Sequence, residues 1–273
     1  MNIVETARWI RQRLKQIAPT PLLTLYRRAR LLRSLPPAGR RLYMAGSLAT
    51  YDARLSPPDD AVVESVRSAA IEIYGDNWNY YSDALRPEIA SGFVQTIESL
   101  LPPERPIDYL EIGSCQGVSM ALIGGLLRRR NVLGSLLSID PYFESGYVEG
   151  EAGPYEHADA ITVNKQTKTA AQRLYSQLGL TVELLELTST SGLRQLIRQS
   201  RTFDLIYIDG SHEGLLPTTD FGLSNAVIRS GGVLVLDDHM WPDVQPIKQL
   251  CDRHATKVQE TWKTASYRLN SRP

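Results

Sequence analysis

"IDYLEIGSCQGVSMALIGGLL", residues 107–127, passes from an apolar run through a glycine turn into a helix-like stretch. The run 107–113 is dense in Ile, Leu and Tyr, as a strand buried on both faces must be. Gly113 and Gly117 permit a tight turn and let backbone N–H groups approach a ligand. Residues 117–130 continue as a helix that presents its positive end to the turn. Further strand runs follow at 132–140, 182–187, 203–209 and 232–238, with helical stretches at 164–178 and 191–200 between them. Buried apolar runs separated by helices predict a parallel sheet covered on both faces. At the end, "TKVQETWKTASYRLN" (256–270) has two β-rich pieces and no helix between them, which predicts an antiparallel closing hairpin. The fold class is therefore α/β, a Rossmann-like, doubly wound, mostly parallel sheet of seven strands with helices added at its N-terminal side.

The chain has 273 residues, 42% of them hydrophobic and 22% charged, which suits a globular protein with one large core. Cys115 and Cys251 have no paired spacing, so neither a disulfide framework nor a zinc knuckle is expected. A cytoplasmic location follows from reduced thiols. Charge is uneven. Residues 1–41 carry ten Arg and Lys against the single acid Glu5, a +9 head on a −9 body. Residues 3–18 and 22–33 show apolar positions at helical spacing with basic residues between. One reading is a helix on anionic lipid at the inner membrane surface. The other is a solvated helix packed on the protein itself. Three segments result: a basic amphipathic extension at 1–45, a helical lead-in at 46–105, and a ligand-binding domain at 106–273. The helical pattern of the lead-in covers 59–75 and 86–103. No run is apolar for long enough to span a bilayer. The acidic body and the lack of an RNA-binding motif argue against nucleic acid as a partner.

Ligands of such sheets lie outside the carboxyl ends of the strands, near the switch point. Gly113 and Gly117 have G-x-x-x-G spacing rather than G-x-G-x-x-G, which weakens a dinucleotide reading. Glu111, just before the turn, places a negative charge there, so a cationic or zwitterionic ligand suits it better. Asp140 ends the second strand, where an acid can accept hydrogen bonds from ribose hydroxyls.

Two later strands, "FDLIYIDGSH" (203–212) and "GGVLVLDDHMW" (231–241), stop on acids with a histidine close behind. Adjacent in the sheet, they bring Asp209, Asp237 and Asp238 to one edge. Such carboxylates repel unless a cation neutralises them or protons stay bound. Oxygen ligands favour Mg²⁺ or a similar hard ion, such as Mn²⁺, over zinc. The structural alternative is that Asp209 caps the next helix while the pair faces solvent. His212, three residues after Asp209, is in reach as a general base, and helix capping or orientation of a neighbour is its structural alternative. His239 is a second candidate, as base or ligand.

"YLEIGSCQG", "LLSIDPY", "FDLIYIDGSH" and "GGVLVLDDHMW" together resemble the successive motifs of a class I S-adenosylmethionine-dependent methyltransferase. The last two are similar to metal-dependent sugar O-methyltransferases of the macrocin and mycinamicin type, over roughly residues 80–245. The resemblance implies that Gly113 and Gly117 line the methionine part of the cofactor, with Glu111 close behind the turn, and that Asp140 holds the ribose. It places "ELTSTSG" (186–192) against adenine. Ser189 is the residue chosen there, with Thr188 and Ser191 left open because "ELTSTS" departs from the family's glycine and small polar pair. It also implies a divalent ion on Asp209, Asp237 and Asp238, with His212 as the base.

The implied acceptor is a hydroxyl of a saccharide, a saccharide-containing natural product or a glycolipid, and a homo-oligomer is the expected assembly. The stretch 141–159 is long and aperiodic, as lids and substrate walls are. Its Tyr142, Phe143, Tyr147 and Tyr155, with Trp241, either stack on sugar faces or anchor the loop. "NWNYYSD" (77–83) completes the pocket from above. Competing readings are an NAD-dependent oxidoreductase, a catalytically silent scaffold and a metal hydrolase.

Overall fold

The computed structural model describes residues 58–75, 82–148 and 162–269. The expected extension at 1–45 lies outside these residues, as do Tyr155 and most of "NWNYYSD". Helix α1 (Asp60–Tyr74) starts at Asp59, whose side chain accepts the Val62 N–H at 3.3 Å. A short turn of 3-10 helix (Ser82–Leu85) leads into α2 (Pro87–Glu98). Then come β1 (Ile107–Ile112), α3 (Val118–Arg129) and β2 (Leu133–Ile139). A two-residue pair, β3 (Tyr147–Val148) and β4 (Thr162–Val163), precedes α4 (Lys165–Gln177). The rest runs β5 (Val182–Leu185), α5 (Ser189–Arg198), β6 (Phe203–Ile208), α6 (Leu216–Val227) and β7 (Ile228–Leu236). Helix α7 (Gln245–His254), β8 (Thr256–Glu260) and β9 (Ala265–Arg268) close the fold.

Seven strands form one sheet in the order β5-β2-β1-β6-β7-β9-β8. The first five are mutually parallel, while β9 runs antiparallel to both β7 and β8. The expected sheet and closing hairpin are both present. Successive side chains on a strand point to opposite faces, and the core divides accordingly. Tyr109, Leu205, Tyr207, Val233 and Val235 pack with α1, α2, α3 and α4 on one face. Leu110, Ile112, Ile206, Ile208, Leu234 and Leu236 pack with α5, α6 and α7 on the other. The lead-in helices α1 and α2 share the sheet's core through Val66 and Phe93 rather than forming one of their own. Helices α6 and α7 went unread in the sequence, although each carries a proline in its first turn, a recognised start signal.

Register sets the site. Ile112 pairs with Ile139 and Ile208, and Ile208 with Leu236. The ladder continues one step beyond each strand: Gly113 N–H to Ile139 O at 2.9 Å, Asp209 N–H to Ile112 O at 2.9 Å, and Asp237 N–H to Ile208 O at 3.0 Å. Gly113, Asp140, Asp209 and Asp237 therefore line one carboxyl edge.

Candidate active site

The order of strand succession reverses between the parallel strands β1 and β6, and the two strand tips touch there. Gly113 has φ +81°, and a Cβ on it would lie 2.1 Å from the Asp209 carbonyl oxygen. Only glycine fits such an approach. Gly117 has φ +76°, and a Cβ there would meet the Tyr175 hydroxyl of α4 at 2.2 Å. Between them, the Ser114 and Cys115 N–H groups donate to Asp140 Oδ2 at 3.1 and 2.9 Å, and the Tyr142 N–H donates to Oδ1 at 3.2 Å. The Tyr142 hydroxyl bonds to Ser114 Oγ at 2.8 Å and donates to the Cys115 carbonyl at 3.0 Å. Tyr142 is fully buried and anchors its loop to the turn; Phe143 beside it is exposed. Cys115, Tyr142 and Asp238 all have positive φ, so strained backbone gathers at this edge, as it does at functional sites.

Glu111 points into the core under the turn. It accepts the Tyr109 hydroxyl at 2.6 Å and the Ser119 hydroxyl at 2.7 Å. Burial pushes its carboxyl up to about 7. Ser189 is the first residue of α5, capped by Thr188, whose Oγ accepts the Ser191 N–H at 3.4 Å. Behind it lies Asp220 of α6, a buried acid that sequence reasoning missed. A Cβ on Gly210 would stand 3.2 Å from Asp220 Oδ2. Burial pushes Asp220 up to about 6, with the Ser189 hydroxyl acting against this.

At the tips of β6 and β7, Asp209, His212 and Asp237 each offer a ligand atom within 4.8 Å of the others. His212 Nε2 lies 3.8 Å from Asp209 Oδ1, and its ring sits 5.7 Å from that of Trp241. Asp238 is not in this group: its Oδ2 lies 3.6 Å from the ammonium of Lys263. That lysine, on the β8–β9 turn, also reaches Asp237 Oδ2 at 2.6 Å, while the Tyr207 hydroxyl donates to Oδ1 at 2.6 Å. No sequence signal marked Lys263. It arrives because Ala265 pairs with Leu236, which brings the turn alongside Asp237. His239 is buried under the same turn and donates through Nε2 to the Thr261 carbonyl at 3.0 Å. Burial holds its pKa down, and its bond to the turn makes it a brace.

Burial and the neighbouring Asp237 push the Asp209 carboxyl well up. Against its own burial, Asp237 is held down by Lys263 and by a hydrogen bond from Asp209. Burial likewise raises Asp238. Part of the repulsion expected of three clustered acids is thus relieved inside the chain, by the Lys263 ammonium beside Asp237 and Asp238.

Asp140 and the two-glycine turn fit an adenosine-bearing cofactor, since a carboxylate has about four acceptor positions and can add ribose hydroxyls to its backbone partners. Two carboxylates and an imidazole within 4.8 Å are also a donor set a divalent ion could use.

Residues 110–239 match the family model described as "Methyltransferase domain". With this sheet order and turn, the fold is that of class I S-adenosylmethionine-dependent methyltransferases. Among solved structures it resembles the O-methyltransferase NovP at 15% identity, with 77% of this chain and 98% of that one covered and a TM-score of 0.53. An O-methyltransferase from Bacillus cereus in complex with SAH matches at 13% identity, 87% and 99% coverage, and TM-score 0.50. The calicheamicin methyltransferase CalS11 matches at 13%, 81% and 97%, and 0.52. These likenesses are of fold. No curated protein matches the chain in sequence.

Proposed function

We propose that this methyltransferase acts on oxygen, methylating a hydroxyl of a saccharide or saccharide-containing natural product or glycolipid with help from Mg²⁺ or Mn²⁺. The observation that carries the reading is the convergence of Asp209, His212 and Asp237 at the carboxyl edge beside the glycine turn. When bound, S-adenosylmethionine supplies a sulfonium methyl, and a divalent ion supplies positive charge that lowers the pKa of a hydroxyl. Gly113, Gly117 and Asp140 would hold the cofactor, and Asp209 and Asp237 the ion. His212 takes the acceptor's proton at Nε2, a buried nitrogen that makes no hydrogen bond among the described residues. The bound cofactor would supply the methyl to the acceptor oxygen and leave as its thioether, with the acceptor's proton held on the His212 imidazole. Trp241 beside His212 offers a face for a sugar ring. A silent scaffold would have no need for these side chains to meet.

The test is incubation of the purified chain with labelled S-adenosylmethionine and a panel of glycosides, with and without chelator. Label on oxygen, lost on chelation, is the expected result. Label on nitrogen or carbon, or no cofactor binding, would overturn the reading. Peripheral membrane docking through residues 1–45 is a separate part of the proposal. It predicts co-sedimentation with anionic vesicles that is lost when those residues are deleted.

A further inference from the structure

We propose that Lys263 is a tethered cation that competes with a divalent ion for Asp237 and moves onto Asp238 when the ion binds; this rests on the metal reading above. Asp237 is 1% exposed and both its oxygens are engaged, Oδ1 by the Tyr207 hydroxyl and Oδ2 by the Lys263 ammonium at 2.6 Å. A hard ion binds carboxylate oxygen at about 2.0–2.6 Å. It would then stand next to the ammonium on the same oxygen, and like charges so close repel strongly. One cation has to leave.

Lys263 is built to do so. Its backbone is pinned: Lys263 N–H donates to Thr261 Oγ at 3.2 Å, and His239 N–H donates to the Lys263 carbonyl at 3.3 Å. His239 in turn clamps Thr261. The flexible four-carbon stem is what remains free to swing. A second anion is already close, Asp238 Oδ2 at 3.6 Å. This gives Asp238 a place in the site although it stands outside the three-residue donor set.

The experiment is calorimetric titration of the full chain with Mn²⁺, repeated on Lys263→Met, Lys263→Arg and Asp238→Asn. Circular dichroism checks folding, and Lys263→Gln serves if the methionine variant fails to fold. Removing the competing charge should tighten Mn²⁺ binding by about tenfold or more. The arginine variant should stay as weak as wild type. Asp238→Asn should weaken binding, because the ammonium loses its second partner. Equal affinity in wild type and Lys263→Met would overturn the competition and leave the metal reading standing. No Mn²⁺ bound by either would overturn both.

Discussion

A buried carboxylate needs a reason to be charged, and Asp237 and Glu111 receive opposite answers. Asp237 has an ammonium at 2.6 Å and stays ionised. Among the described residues Glu111 has only two hydroxyl donors, and burial raises it to about 7 against 4.5 for an ordinary glutamate. Folding therefore binds a proton between those values. Stability from this group is full below about pH 4.5 and is lost as pH rises towards 7, a change of about 3 kcal/mol at most. Glu111→Gln should flatten the dependence of Tm on pH over that interval. An unchanged slope would show the group titrating normally. At His212 the expectation is chemical rather than structural. His212→Ala should lower kcat by about 10²–10⁴ while S-adenosylhomocysteine affinity, measured by calorimetry, stays within error. A wild-type rate would remove the base from the mechanism.

Among the elements, the strand–turn–helix of β1 and α3 was the most legible, because both of its glycines announce a backbone that other residues avoid. The sequence offered a tight turn and ligand approach as the reasons for Gly113. The fold adds another, the Asp209 carbonyl that a Cβ would strike. Gly113→Ala should cost about 2 kcal/mol or more through strain and overpacking, read as a fall in the urea midpoint. Wild-type stability would mean that β1 and β6 part more easily than their contact implies. Tyr142 was legible only as an aromatic in a long loop, with stacking and anchoring both open. Its hydroxyl contacts with Ser114 and Cys115 make it an anchor. Helix α6 was missed because Thr, Gly and Ser dilute its apolar positions; α7 was missed because it is short and mostly polar, although Ile247 and Cys251 fall on one buried face.

Across the whole molecule, charge is handled differently at the two ends of the sheet. The carboxyl edge gathers acids around one lysine. The amino edge is a closed network in which Arg229 donates to Asp108 Oδ2 at 2.6 Å and to Thr202 Oγ at 3.0 Å, and pairs with Asp204. Arg105 joins Asp204 at 2.8 Å. This network ties β1, β6 and β7 at their starts and, among the described residues, touches none of the candidate site residues. Arg229→Ala should lower stability by about 1.5–3 kcal/mol, the range for hydrogen bonds to charged groups, with cofactor affinity unchanged by calorimetry. A parallel loss of affinity would show that the two edges are coupled.

What the amino-acid sequence determined alone was whatever depends on neighbours along the chain. The apolar runs, the glycine turn, the alternation of strand and helix and the acids at the strand ends are local, and they predicted the sheet, its closing hairpin and its functional edge. Tertiary structure decided which charges meet. Lys263 lies 26 residues beyond Asp237 in the sequence, on a turn whose position depends on how β9 pairs with β7. The approach of Asp209 to Asp237, the inward turn of Glu111 and the burial of Asp220 have the same origin. Burial and electrostatic partnership are properties of distance through the folded molecule, and spacing along the chain does not encode that distance until the strands are in register.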